Sequence, residues 1–278
     1  MDFLSGFWYN PLRLFIFSNV PFIKHLKRRL TMKTLRILTL SLCLCCMLST
    51  NLFAAVTAKQ PFNGVTLQGW KPVNPNIVSK WIVGRASLDK ENERTICAQT
   101  LLKIDEKFLE GDLINFVESN WQEKPRGGVD LCTEEVYGDC IVEIEFMVPK
   151  GSNSGVYLMG EYEVQVLDSW GKQGNLSQGD VGAIYSAAAP KENASLPPGE
   201  WQKFVIDFQA PRFDADGNKT QKAKFLKITL NGKVVQEDVE VEKSTGGGIT
   251  GKEAAKGPLM LQGNHGPIAF RNIMIYEK

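Results

Sequence analysis

Histidine and cysteine are scarce in this sequence: of its 278 residues, only two are histidine and six are cysteine. No combination of cysteine and histidine has the spacing of a structural zinc site, which excludes the common zinc-binding modules. An excess of charge of either sign is also missing, because the formal net charge is +1. A nucleic-acid-binding role is therefore not expected, since it requires a strongly basic surface.

Long hydrophobic runs are missing too, apart from one that extends from Ile37 to Leu48. This run is too short to cross a bilayer but has the length of a signal-peptide core, and basic residues precede it. Small residues follow it up to Ala58. We therefore predict a leader with a signal peptide over residues 1–58, with Met32 as an alternative start. A membrane anchor is the rival interpretation.

Without this leader, residues 59–278 contain 25 basic and 30 acidic residues, a net charge of −5. Export to the periplasm or the extracellular space is expected, with no stable membrane insertion after cleavage. The length suits one domain with a sizeable core. Three cysteines remain, at Cys97, Cys132 and Cys140. A disulfide between Cys132 and Cys140 and buried free thiols are both open alternatives.

Helical periodicity is nearly absent after the leader. Short runs rich in Val, Ile, Phe and Tyr alternate instead with Gly, Pro, Asn and Asp, and Asn231-Gly232 predicts a two-residue hairpin turn. This pattern predicts a single all-β domain at residues 59–278, an antiparallel sandwich or jelly roll. The eleven predicted strand segments are KWIVGRASLD, TICAQTLLKI, DLINFV, CIVEIEFMV, SGVYLMG, YEVQVLD, GAIYSAA, WQKFVIDFQA, AKFLKITLNGKVVQEDVEV, GPLMLQG and IAFRNIMIYEK.

The segment EYEVQVLD contains the side chains best suited to catalysis or ligand binding. Its polar side chains at Glu161, Glu163 and Gln165 alternate with apolar ones, so one strand face is buried and the other presents acids and an amide. The segment CIVEIEFMV follows the same rule with Glu143 and Glu145. Two adjacent strands of this kind predict one acidic sheet surface, and a sugar is its natural ligand. A merely solvated strand face is the alternative.

The order of motifs resembles the 3-keto-disaccharide hydrolase domain family, a concanavalin-like β-sandwich common in secreted bacterial proteins. The matching segments run from Phe62 to Glu277 and are FNGVTLQGW, YGDCIVEIEF, SNSGVYLMGEYEVQVLDSWG, VGAIYSAAAP, PGEWQKFVIDF, ITLNGKVV and MLQGNHGPIAFRNIMIYE. The resemblance implies an antiparallel sandwich with a concave sugar-binding face. It also implies cleavage of oxidised disaccharides or glycosides.

The candidate carboxyl pair is Glu163 and Asp168. Counted from Glu163, Gln165 stands at offset +2 and Asp168 at offset +5. These offsets are similar to those of the catalytic residues on one strand of laminarinase-type β-glucanases. In those enzymes a bulge brings the residue at offset +5 back onto the sheet face. Residues two apart on a strand lie about 6.6 Å apart along it, close to the separation that paired carboxyls need in glycoside cleavage. The amide at Gln165 and the shorter acid at Asp168 depart from that pattern.

Two further candidates lie near the C-terminus. His265 stands in the glycine-flanked turn GNHGPIAFRN, and its imidazole suits proton transfer near neutral pH. A hydrogen-bonded loop histidine is the alternative. Arg271 alternates with Phe270 and Asn272, so we expect it to reach the acidic face as a counter-ion of Glu163 or as a clamp for hydroxyls.

Aromatic and amide side chains complete the predicted site. Tyr157 is expected to face the same side as Glu145, and Trp170 directly follows the acidic strand. Aromatic rings beside polar groups are typical of sugar sites. A core or rim role is the alternative for both rings. Asn153, at a turn before Gly155, is a further candidate for substrate binding.

Together with what the resemblance implies, these features lead to the hypothesis of a hydrolase that cleaves the glycosidic bond of a 3-keto sugar. Glu163 or His265 would act as base or acid, Asp168 and Glu145 would position them, and Gln165 with Arg271 would bind the enolate or hydroxyls. No cofactor is required, although a divalent cation held by carboxylates would be an alternative to Arg271. The rival functions are a laminarinase-like glycosidase acting on unoxidised glycans and a non-catalytic carbohydrate-binding module.

Overall fold

The computed structural model of the protein describes residues 57–101, 103–104, 107–108, 110–116 and 127–278. The predicted leader lies outside the described residues except for its last two. In the described part of the chain no helix has the length and apolar character that crossing a bilayer requires.

Eighteen strands form within the described residues. In chain order they are β1 Thr57–Lys59, β2 Trp70–Pro72, β3 Trp81–Leu88, β4 Ile96–Gln99, β5 Lys103–Ile104, β6 Lys107–Phe108, β7 Asp112–Asn115, β8 Leu131–Tyr137, β9 Cys140–Met147, β10 Asn153–Leu158, β11 Tyr162–Leu167, β12 Trp201–Gln209, β13 Arg212–Phe213, β14 Lys219–Gln221, β15 Ala223–Leu230, β16 Lys233–Val241, β17 Gly257–Leu261 and β18 Ile268–Glu277.

These strands form two antiparallel sheets and two short ribbons. The nine-stranded sheet has the order β16-β15-β12-β9-β18-β7-β3-β4, with β1 also paired to β18. The five-stranded sheet has the order β11-β10-β17-β8-β2, and β5–β6 and β13–β14 are the ribbons. The prediction of an all-β antiparallel sandwich is confirmed.

Strand alternation explains how the sheets pack. Val142, Ile144 and Phe146 of β9 and Val164 of β11 all belong to one buried cluster. Contact between the sheets is direct, because the rings of Tyr162 in β11 and Phe208 in β12 lie 5.5 Å apart. The apolar sides of both sheets therefore face each other, and each sheet has its own outer face.

The predicted hairpin at Asn231-Gly232 is confirmed. Strands β15 and β16 pair up to Leu230 and Lys233, and both turn residues have positive φ angles, 52° and 82°. A two-residue turn of this kind requires positive φ at both positions, which Asn and Gly tolerate.

The predicted strand GAIYSAA is wrong as a regular strand. Only isolated bridges form there, between Ile184 and both Val164 and Ala188. Positive φ angles at Gly182 and Ser186 interrupt the extended backbone on either side. The segment instead hydrogen-bonds to the free edge of β11 through three backbone contacts: Gln165 donates to Ala183, Gly182 to Gln165, and Tyr185 to Glu163.

Two loops cover the outer face of the five-stranded sheet near β10 and β11. One is the β11–β12 loop, residues 168–200, and the other is the β16–β17 loop, residues 242–256. The second loop is fixed to β11 because Thr245 Oγ1 accepts the Glu163 N–H at 2.9 Å. This face is therefore buried where the sequence predicted a solvent-facing acidic surface.

All three cysteines after the leader are free thiols. Cys132 lies in β8 and Cys140 in β9, which belong to different sheets. Burial raises the pKa of the Cys140 thiol to about 12. Of the two alternatives, the structure has buried thiols and no bridge.

Candidate active site

A cavity of about 400 Å³ lies on the outer face of the five-stranded sheet, between β10 and β11 and the two covering loops. Its size fits a small ligand such as a sugar. Five residues predicted from the sequence come together here, together with one that was not predicted. The polar side chains involved are Asn153, Tyr157, Glu163, Gln165, Gln262 and His265.

The carboxyl group of Glu163 occupies space that is free because the neighbouring residue on β10 has no side chain. Its carboxyl lies over Gly155 of β10, where an added Cβ would stand only 2.2 Å from Glu163 Oε1. A glycine at position 155 is therefore needed to hold the carboxyl in this orientation. The side chain is 2% exposed, although the residue still lines the cavity.

The electrostatic environment keeps Glu163 protonated near neutral pH. Burial is the main cause, and it raises the pKa of Glu163 to about 8; the negative charge of Asp130 acts in the same direction. A hydrogen bond with Tyr157 opposes this shift and is the smaller effect. Among the described residues that line the cavity, no lysine or arginine is present to stabilise the carboxylate.

Tyr157 stands opposite Glu163 in the β10–β11 register. Its hydroxyl donates to the Gly246 carbonyl at 3.1 Å and accepts from Gln262 Nε2 at 3.0 Å. Burial and the nearby Glu163 raise the pKa of this hydroxyl far above its usual value. Tyr157 therefore remains neutral and acts as a hydrogen-bonding group beside Glu163.

The β16–β17 loop can approach Tyr157 because it carries a glycine at position 247. An added Cβ on Gly247 would stand 2.7 Å from the Tyr157 hydroxyl, and the φ angle of this residue is +83°. Both space and backbone conformation therefore require glycine. The loop forms a wall of the cavity at this point.

The amides of Gln165 and Asn153 form the opposite part of the wall. Gln165 Nε2 donates to Asn153 Oδ1 at 3.4 Å, and both side chains line the cavity. Neutral amides can donate and accept at once, which suits them to sugar hydroxyls. Their predicted place beside Glu163 agrees with the geometry.

His265 lies in the turn between β17 and β18 and also lines the cavity. Its Nδ1 contacts the Asn264 side-chain oxygen. Asn264 in turn donates to Asp130 Oδ2 at 3.4 Å, and the Gly263 N–H donates to Asp130 Oδ1 at 2.8 Å. This turn is therefore held by a network that fixes the imidazole at the rim of the cavity.

Gln262 is a cavity residue that sequence reasoning missed. It is 5% exposed, and its Oε1 has no hydrogen-bond partner within the described part of the chain. An unpaired buried amide oxygen is costly unless a ligand or water satisfies it. Local strand alternation could not identify it, because Gln262 lies just beyond the end of β17 and reaches the cavity through the pairing of β17 with β10.

Asp168 and Trp170 are not among the residues that line this cavity. Asp168 follows the end of β11, and its carboxylate accepts the Gly151 N–H at 2.8 Å and the Trp170 N–H at 3.3 Å. Its place in the structure is therefore at the base of a loop. Trp170 is 54% exposed. The structure does not bring the predicted carboxyl pair together in the cavity.

The predicted position of Glu145 and Arg271 beside Glu163 is wrong. Glu145 lies on β9 and Arg271 on β18, both in the nine-stranded sheet, whereas Glu163 lies in the other sheet. Arg271 Nε donates to Glu145 Oε2 at 2.7 Å. Tyr157 consequently does not share a face with Glu145. Both acidic strands turn their apolar sides inward, so their acids lie on opposite outer faces of the sandwich.

Glu143 belongs to the same outer face as Glu145, where its carboxylate pairs with Lys203 at 2.5 Å. Within the described residues, no group of three or more His, Cys, Asp or Glu side chains is arranged to hold a metal ion. The cavity itself is lined by one carboxyl group, Glu163, and by neutral hydrogen-bonding groups.

A family model described as the 3-keto-alpha-glucoside-1,2-lyase-like domain matches residues 57–276. The chain belongs to this family. The match covers every residue of the cavity, including His265 and both covering loops. The family resemblance drawn from the sequence motifs is thereby confirmed.

Solved structures with the same fold include a candidate glycosyl hydrolase of Parabacteroides distasonis ATCC 8503. It is 27% identical, the alignment covers 80% of this chain and 84% of that chain, and the TM-score is 0.55. A second protein of that organism, also named as a candidate glycosyl hydrolase, is 14% identical over 80% of this chain and 94% of its own, with a TM-score of 0.47. No curated protein sequence matches this chain.

Family membership supports a carbohydrate-active function of the glycosidase type. The cavity agrees with this, since amides, a tyrosine and a neutral carboxyl surround a space of sugar size.

Proposed function

We propose that the protein cleaves the glycosidic bond of 3-keto-disaccharides or 3-keto-glucosides by elimination followed by hydration. The observation that carries this proposal is Glu163, a buried carboxyl with a pKa of about 8 inside a cavity of sugar size. A carboxyl protonated at neutral pH can donate to an oxygen atom.

The reaction begins at the carbon next to the ketone. A ketone at C3 acidifies the hydrogen at C2, so a base removes that proton and the electron pair forms an enolate. The enolate then expels the C1 substituent with its bonding electrons, which leaves a C1–C2 double bond conjugated to the ketone. Water adds across this bond, with hydroxyl at C1 and hydrogen at C2. The overall result is hydrolysis.

The cavity supplies groups for each step. His265 at the rim serves as the base for the C2 hydrogen, and protonated Glu163 donates its proton to the leaving glycosidic oxygen. Glu163 is then ionised and serves as the base that takes a proton from water in the hydration step. The partly exposed His265 imidazolium exchanges its proton with solvent and then returns a proton to C2. Tyr157 accepts a hydrogen bond from protonated Glu163. When Glu163 has lost its proton, the Tyr157 hydroxyl turns from the Gly246 carbonyl and donates to the carboxylate.

The amides bind the sugar itself. Gln165, Asn153 and Gln262 line the cavity, and the unpaired Oε1 of Gln262 accepts a hydrogen bond from a substrate hydroxyl. This contact would satisfy a buried acceptor that otherwise has no partner among the described residues. We also propose that the protein works after export, in the periplasm or outside the cell.

A two-carboxylate glycosidase is the rival mechanism, and it finds less support. Glu163 is the one carboxylate among the described residues that line the cavity. Retaining and inverting glycosidases both need a second carboxyl group within about 10 Å across the scissile bond. Asp168, the predicted partner, is instead bonded to backbone amides at the base of a loop.

The test compares a disaccharide with its 3-keto form. The purified protein is incubated with each, and release of the free sugar is followed over time. Release from the keto form alone is expected. Release from the unoxidised sugar would favour a conventional glycosidase, and binding without release would favour a non-catalytic module.

A second measurement tests the elimination step. In deuterated water, hydration of the C1–C2 double bond places deuterium at C2 of the product, which NMR or mass spectrometry detects. Product without deuterium at C2 would contradict elimination. The 3-keto sugar product incubated without enzyme for the same time is the control for spontaneous exchange.

A further inference from the structure

A second cavity, of about 450 Å³, lies against the outer face of the nine-stranded sheet. It is lined by Arg85 of β3, Asp112 of β7, Trp201 of β12 and Arg271 of β18. These residues belong to the sheet that does not carry Glu163. The residues at the second cavity are therefore available for a separate function.

Arg271 is held in place from two sides. Its Nε donates to Glu145 Oε2 at 2.7 Å, and the centre of its guanidinium group lies 4.0 Å from the ring centroid of Trp201. Contact with an indole face and an acid fixes the plane of the guanidinium group. Within the described part of the chain, its two terminal nitrogens make no hydrogen bond, so they remain available as donors.

Asp112 supplies an acceptor in the same cavity. The residue is 9% exposed, and its Oδ2 accepts the Ala86 N–H at 2.8 Å. Burial raises the pKa of Asp112, while the Ala86 N–H and the charges of Arg271 and Arg85 oppose this. Since Asp112 lines the cavity, its carboxylate is placed to accept a hydrogen bond from a ligand there.

Among the described residues that line this cavity, positive and negative charges balance. Arg85 and Arg271 are positive, and Glu110 and Asp112 are negative. A strongly charged ligand would therefore gain little net attraction. The arrangement instead favours a neutral molecule with donors and acceptors side by side. Sugar hydroxyls have this property, because one hydroxyl can accept from a guanidinium nitrogen and donate to a carboxylate oxygen.

We propose that this cavity is a second, non-catalytic carbohydrate-binding site that holds one neutral sugar unit between Arg271 and Asp112. Sugar binding at this second site is independent of the reaction proposed for the Glu163 cavity. It would occur whichever bond the protein cleaves there. A chain with one binding site on each outer face can remain attached to a glycan while it acts on a separate sugar.

Isothermal titration calorimetry tests the proposal with three neutral disaccharides as probes: cellobiose, maltose and trehalose. We expect saturable binding of at least one probe to the wild-type protein. Arg271→Ala and Asp112→Asn should each weaken that binding at least tenfold. Both variants should still release sugar from a 3-keto-disaccharide at the wild-type rate, since neither residue lines the Glu163 cavity.

The matched control is Gln165→Ala, which alters the Glu163 cavity and should leave disaccharide binding unchanged. Saturable binding that is lost in Gln165→Ala and kept in Arg271→Ala would overturn the proposal, as would the absence of saturable binding to all three probes. Asp112→Asn preserves the size of the side chain, so it provides the decisive comparison if Arg271→Ala does not fold.

Discussion

Two glutamates that each lie on the outward side of their strand have opposite environments. Glu163 lies on the outer face of the five-stranded sheet under two loops, and burial raises its pKa to about 8. Glu145 lies on the outer face of the nine-stranded sheet. Burial there acts to raise its pKa, but hydrogen bonds from Asn272 and Arg271, together with the charges of Arg271 and Lys203, lower the pKa overall. The same residue type is therefore a carboxyl that holds its proton near neutral pH on one face and a carboxylate on the other.

The difference shows which surroundings determine whether a carboxyl group keeps its proton near neutral pH. Covering loops remove water from Glu163, and no cation lines its cavity within the described residues. Glu145 keeps partial contact with solvent and a guanidinium partner. Burial without a cation creates the proton donor, whereas pairing creates a stable structural or binding contact.

Glu163→Gln should have the largest effect. The amide keeps the size of the side chain but has no carboxylic proton to donate, so we expect kcat/KM on a 3-keto-disaccharide to fall by about 10²–10⁴-fold. Glu145→Gln is the matched control and should retain wild-type kcat/KM. Equal losses in both variants would show that the two faces do not differ in the proposed way.

Gly155→Ala should reduce activity next most strongly. The added methyl group would meet Glu163 Oε1 at 2.2 Å and force the carboxyl to turn away. A displacement of this kind is expected to lower kcat/KM by about 10²-fold. Gly179→Ala is the control, because Gly179 also lines the cavity yet an added Cβ would have no neighbour closer than 3.9 Å. Full activity in Gly155→Ala would contradict the requirement for glycine.

The stability of Glu163→Gln relative to wild type should depend on pH. An unfolded glutamate loses its proton near pH 4.3, whereas folded Glu163 retains it until about pH 8. Wild-type stability is therefore lost as pH rises between these values, by about 1.4 kcal/mol per pH unit. Glutamine does not titrate.

Thermal unfolding of both proteins at pH 5 and pH 8 measures this effect. The melting temperature of Glu163→Gln minus that of wild type should be larger at pH 8 than at pH 5, by an amount that corresponds to several kcal/mol, on the order of the linkage value. A difference that does not change with pH would show that Glu163 has an ordinary pKa.

Glu145→Gln should have the smallest effect on stability. Its contact with Arg271 is partly exposed, and a pair of this kind contributes about 0.2–1 kcal/mol. Chemical denaturation at low and high salt measures the change in the free energy of unfolding. A loss of several kcal/mol would mean that Glu145 is as deeply coupled to its surroundings as Glu163.

Sequence patterns predicted the strands and the direction of their side chains well. Alternation placed Val164 and Ile144 inside and Glu163 and Glu145 outside, which the structure confirms. Alternation cannot tell which sheet of a sandwich a strand joins, because both sheets turn their apolar sides to the same core. Arg271 was assigned to the wrong face for this reason.

Loop coverage was the other feature that local patterns could not predict. The burial of Glu163 depends on contacts with Thr245 and Tyr185, which are separated from it by 82 and 22 residues along the chain. Gln262 was missed since its role depends on the pairing of β17 with β10. Such long-range pairings follow from the whole topology, so they are visible only in three dimensions.

The irregular segment around Ala183–Tyr185 limits the mutations that this protein can tolerate. It satisfies the backbone groups at the free edge of β11 and belongs to a loop that borders the Glu163 cavity. A mutation that loosened it would uncover an edge to which other chains could add strands. Protection against aggregation and preservation of the cavity therefore depend on the same few hydrogen bonds.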